Sequence, residues 1–105
     1  MTKLTQLATQ MRQTIDHTGA TYCHHKLGRG LELVLQRTGR GYRLALGRTD
    51  TAPSDTEIEL CMDAFNVPAG AEPHHVVKIR QGKTGQLTYH VAELTWTEQD
   101  QLHAA

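Results

Sequence analysis

Gly41–Pro68, GYRLALGRTDTAPSDTEIELCMDAFNVP, is the stretch on which the fold reading turns. Tyr42, Leu44 and Leu46 alternate with Arg43, Ala45 and Gly47, the period-two pattern of a strand with one buried face. A polar break follows. Ser54-Asp55-Thr56-Glu57 then has the spacing of a capping box, in which the Ser54 hydroxyl accepts from the Glu57 N–H and the Glu57 carboxylate accepts from the Ser54 N–H. Ile58, Cys61, Met62 and Phe65 fall at i, i+3, i+4 and i+7, one apolar stripe of a helix. Asn66 suits the C-terminal position, and Val67-Pro68 stops the helix because a residue before proline avoids the α region.

Working outward, Leu4, Leu7, Ala8, Met11 and Ile15 make a second helical stripe over Thr2–His17, ended by Thr18-Gly19. Residues 20–27 read as a short, polar strand with Tyr22 and His24 on one face and Cys23 and His25 on the other. Leu31, Leu33 and Leu35 alternate in the next strand. Thr38-Gly39-Arg40-Gly41 joins it to the strand of the quoted stretch, a connection whose two glycines predict positive φ. Past the second helix, residues 75–81 and 86–96 form another hairpin, closed by Gly82-Lys83-Thr84-Gly85. Leu87, Tyr89 and Val91 share one parity there, whereas Leu94 and Trp96 have the other. That switch predicts either a bulge near Ala92-Glu93 or burial on both faces at the strand's end.

The expected architecture is a single α+β domain over residues 1–105. An antiparallel sheet of four or five strands, built from two hairpins, packs on two amphipathic helices in the order α(β)ββαββ. Residues 97–105 form a polar tail expected to fray.

The segments RLALGR, PSDTEIELC and AFNVP, with a last strand ending in Trp96, resemble a group of small bacterial proteins without an assigned activity. The resemblance covers roughly the second half of the chain. It implies the same fold and no particular chemistry.

Zero net charge argues against a protein that coats nucleic acid or an anionic membrane. The charge is nevertheless segregated. Lys26–Arg48 has six bases and one acid, a local charge of +5, while Asp50–Glu72 has six acids and no base, −6. No apolar run approaches the ~20 residues of a membrane span and no apolar signal core opens the chain, so a cytoplasmic location is expected. Cys23 and Cys61 are too few for a disulfide framework, although one bridge between them is compatible with the sequence.

Candidate sites follow from side-chain chemistry. Arg37, Arg40, Arg43 and Arg48, within the Arg-rich hairpin 29–48, are candidates for contact with a partner or a phosphate. The element order over residues 1–66 is also that of double-stranded-RNA-binding domains. Those domains resemble one another in a lysine-rich start to the second helix, where this chain has Ser54-Asp55-Thr56-Glu57, which repels phosphate. The pairs His24-His25 and His74-His75 are weak metal candidates, since adjacent strand residues point to opposite faces and no recognised ligand spacing is present. No nucleophile elbow, phosphate-binding glycine loop or suggestive carboxylate pair appears, and Cys61 sits on a stripe that predicts burial. No enzymatic activity and no cofactor are therefore expected. What remains is a small interaction module for a macromolecular partner, self-associating in one version, with Trp96, Tyr89 and Tyr42 as candidate anchors and nucleic-acid binding by the Arg-rich hairpin as the alternative.

Overall fold

A computed structural model describes residues 3–49 and 51–99. In chain order the elements are helix α1 (Lys3–Thr18), strand β1 (Tyr22–Lys26), a single 3₁₀ turn at Gly28–Gly30, β2 (Glu32–Arg37), β3 (Gly41–Arg48), helix α2 (Asp55–Ala64), β4 (His74–Gly82) and β5 (Gly85–Thr97). Both hairpins join one antiparallel sheet of order β1-β2-β3-β5-β4. Because α2 carries the chain across before β4 begins, β5 returns beside β3 and leaves β4 on the outer edge.

The quoted stretch folds as its chemistry dictates. The Glu57 N–H donates to Ser54 Oγ at 3.1 Å and the Ser54 N–H donates to Glu57 Oε1 at 2.9 Å, so two otherwise orphaned donors are satisfied. At the other end, Asn66 takes φ 54°. The Val67 N–H reaches the Met62 carbonyl at 2.8 Å and the Asn66 N–H that of Asp63 at 3.3 Å, the two bonds of a Schellman ending.

The core lies on one face of the sheet. Leu33 and Leu35 of β2, Tyr42, Leu44 and Leu46 of β3, and Ala92, Leu94 and Trp96 of β5 are buried beneath Ala8, Met11 and Ile15 of α1 and Ile58, Cys61 and Phe65 around α2. The register pairs Leu35 with Leu44 and Leu44 with Leu94, so the alternating positions of three strands meet in one layer.

Two local expectations are corrected. The β3–β5 and β4–β5 registers run without a slip through Ala92 and Glu93, so β5 has no bulge. The parity of its apolar residues changes because its surroundings change. From His90 to Thr97 it pairs with β3 under the helices, and before His90 it pairs with β4 alone. Burial on both faces occurs at Val91 and Ala92, in mid-strand and not at the end. The second correction concerns the turn at residues 38–41. Neither Gly39 nor Gly41 has positive φ. Gly41 is required instead because a Cβ there would lie 2.0 Å from the Trp96 carbonyl oxygen.

The tail is held at its start, where the Glu98 N–H donates to the Arg40 carbonyl at 3.0 Å. The rest of the expected fraying tail, from residue 100, lies outside the described residues, as does Thr2 of the expected first helix.

Candidate interaction surface

Both helices cover the same face of the sheet, so the opposite face has no covering element among the described residues. Val34 of β2, Ala45 and Gly47 of β3, and Val91 of β5 form its floor, with Arg43, Lys78 and Tyr89 at its sides, around a concavity of about 240 Å³. Small side chains of β2, β3 and β5 make the hollow, and long ones of β3, β4 and β5 make its rim.

Charge on this face is organised by Glu93. Its Oε1 lies 2.5 Å from Arg43 Nη2 and 3.4 Å from Lys78 Nζ. Burial works against the charged form, but the hydrogen bonds and charges of Arg43 and Lys78 outweigh it and hold the carboxyl below its ordinary range. Two cations share this one acid. Arg80 adds a third, with its guanidinium 4.8 Å from the Tyr89 ring centroid.

Beyond His90 the sheet narrows to two strands. Among the described residues, Lys78–Gly82 and Gly85–Tyr89 pair only with each other. At the base of this ribbon and on its helix-side surface, Val77 is 60% and Ile79 65% exposed, and among the described residues β4 has no strand partner on its outer side.

The four arginines singled out from sequence do not form one patch. Arg37 faces the helix side, where its Nη1 lies 3.3 Å from Asp16 Oδ1 and 2.8 Å from Tyr42 Oη, and Glu98 is a further ion-pair partner. Arg48 turns to α2 and meets Glu57 Oε2 at 2.8 Å. Arg43 faces the bare side and pairs with Glu93, and Arg40 is exposed in the β2–β3 connection. Only Arg43 contributes to the concavity. Lys78 and Arg80, which also line it, and Glu93, which pairs with Arg43 and Lys78 beside it, were not expected as site residues. Their parity along β4 and β5 was visible, but the pairing of β5 with β3 that gathers them was not.

The histidine pairs lie at opposite edges of the sheet, on β1 and β4, with three strands between them. His24 Nε2 is 3.2 Å from Glu32 Oε2. Among the described residues no three His, Cys, Asp or Glu side chains are grouped to hold a metal. Of the candidate anchors, Tyr42 and Trp96 are buried in the core, 5.9 Å apart between ring centroids, whereas Tyr89 is half-buried on the bare face.

Both thiols are free. Burial, with a contribution from the Glu57 charge, pushes the Cys61 thiol up to about 12, so it is protonated and unreactive at neutral pH. A thiol reagent at pH 8 is expected to modify one equivalent in the folded protein and a second only after denaturation. Rapid modification of both would contradict the burial of Cys61.

Comparison with known proteins finds no family model, no curated protein and no solved structure that matches this chain. Among the described residues, no helix is long and apolar enough to cross a membrane.

Proposed function

We propose that this domain is a non-enzymatic interaction module that binds a macromolecular partner with the bare face of its sheet. One observation carries the reading: both helices lie on one side of a five-stranded sheet, which leaves a hollow of small apolar residues rimmed by Arg43, Lys78 and Tyr89 without a cover among the described residues. A face of that composition, apolar at the centre and charged at the rim, matches the anatomy of a protein-binding surface. Cys61 of α2 is buried and not available as a nucleophile. Two free thiols suit a reducing compartment, and we place the protein in the cytoplasm.

Nucleic-acid binding through residues 29–48 has less support. Arg37, Arg43 and Arg48 each have an acidic partner, and the four arginines point in different directions.

The test compares co-purification by the wild type, by Ala45→Arg in the floor of the hollow, and by Gln13→Glu on the exposed side of α1. All three proteins are first checked for equal thermal stability. A protein retained by the wild type and Gln13→Glu but lost by Ala45→Arg is the expected result. The same recovery with all three would overturn the proposal.

A further inference from the structure

We infer that the outer edge of β4 accepts an extended segment of another protein, in which acidic and β-branched apolar residues alternate, as a sixth strand of the sheet. The inference rests on the binding role proposed above and specifies a partner chemistry for it.

An edge strand offers N–H and C=O groups that a further strand can pair with, and its side chains alternate between the two faces of the sheet. Along β4 that alternation sorts two chemistries. Val77 and Ile79 occupy the helix side, each more than half exposed. Lys78 and Arg80 occupy the opposite side, at the rim of the hollow. A strand laid beside β4 must therefore match apolar groups on one side and cations on the other.

Charge determines which strand fits. Between His74 and Ala92 the chain has three bases, Lys78, Arg80 and Lys83, and no acid. The nearest carboxylate on that face, Glu93, is already shared by Arg43 and Lys78. Among the described residues, the surplus is positive on the side where an incoming strand would place every second residue. A second copy of β4 is a poor match, because antiparallel pairing of the two edges would gather two lysines and two arginines on one face. An acidic-apolar alternating segment meets both requirements: its carboxylates lie beside Lys78 and Arg80, and its β-branched side chains cover Val77 and Ile79.

The probes are fluorescent nine-residue peptides measured by anisotropy at low salt. One alternates Val with Glu, one alternates Val with Lys, and one is the Val-Glu sequence with alternate amides N-methylated. Saturable binding of the Val-Glu peptide is expected, with none of the Val-Lys peptide. N-methylation, which removes main-chain donors but leaves the charges, is expected to abolish binding. The double variant Lys78→Glu/Arg80→Glu, altering two exposed side chains, is expected to weaken Val-Glu binding by about thirty-fold, through two cross-strand charge pairs lost and two repulsions gained. It should also turn the preference toward Val-Lys.

Absence of Val-Glu binding, or binding that survives N-methylation, would overturn strand addition. Its failure is separable from failure of the wider reading, because the Ala45→Arg comparison reports on the native partner. If that variant still loses its partner while the peptides fail, the bare face stands and the edge does not.

Discussion

Replacing Tyr42 with alanine is expected to cost about 4 kcal/mol of stability, within the range for deleting a large buried aromatic side chain. The ring lies between two guanidinium groups, with Arg12 Cζ 4.5 Å and Arg37 Cζ 4.9 Å from its centroid, and it touches Trp96 on the neighbouring strand. Its hydroxyl donates to Asp16 Oδ1 at 2.9 Å and accepts from Arg37 Nη1 at 2.8 Å. One side chain thus ties the C-terminal end of α1 to β2, β3 and β5. Tyr42→Phe separates the two contributions. It keeps the ring and loses the hydroxyl, and is expected to cost about 1 kcal/mol because Asp16 and Arg37 are partly exposed and solvent takes over their bonds. Urea denaturation measures both variants. Equal losses for alanine and phenylalanine would show that the hydroxyl, and not the packed ring, is the main contributor.

The second large effect is expected at Gly41. Gly41→Ala would place a Cβ 2.0 Å from the Trp96 oxygen, 2.6 Å from Thr97 Cα and 2.9 Å from the Trp96 carbonyl carbon. All three are backbone atoms and none can swing aside, so β3 and β5 must separate where they pair. A loss of about 3 kcal/mol is expected, at the upper end for overpacking. Gly39, two residues earlier in the same turn, has no atom within 4 Å of such a Cβ and no positive φ. Gly39→Ala is therefore expected to remain within about 0.5 kcal/mol of the wild type. The contrast separates close approach of strands from turn geometry as the reason for glycine. Similar stability of the two variants in urea would contradict it.

Those two sites mark how far sequence reasoning extends here. The ends of α2 were legible because capping is local: Ser54 and Glu57 are three residues apart, and Asn66 needs only its own tolerance of the left-handed region. The strands were legible because Leu33, Leu35, Leu44 and Leu46 repeat with the period of the pleat. Gly41 was legible as glycine in a turn but not in its cause, which is the carbonyl of Trp96, 55 residues away. The same limit applies to Tyr42, whose hydroxyl finds Asp16 from another element.

The candidate site depended almost wholly on such distant relations. Arg37, Arg40, Arg43 and Arg48 are close in sequence, yet Arg37 and Arg48 face the helices while Arg43 faces away from them. The contrast between a basic hairpin and an acidic helix closes partly inside the molecule, through Arg48 and Glu57. Lys78 and Arg80 carry no signal in the sequence, because a strand with two bases is ordinary. They become notable only when the order β3-β5-β4 places them on the rim of the bare face and at an unpaired edge. Local pattern determines faces, whereas strand order, set by where α2 delivers the chain, determines which faces combine.

The proposed binding surface requires a bare sheet face that ends in an open β4 edge. Residue-resolved amide hydrogen exchange of the protein alone, at several concentrations, tests it most directly. In an edge strand, the N–H groups that point away from the neighbouring strand are free to exchange. Alternate amides of Val76–Arg80 are expected to exchange rapidly at every concentration, while Leu44 and Leu94 in the middle of the sheet are among the slowest. Uniform protection along β4 comparable with that of β3, or protection that rises with concentration, would show that the edge is already covered and would contradict it.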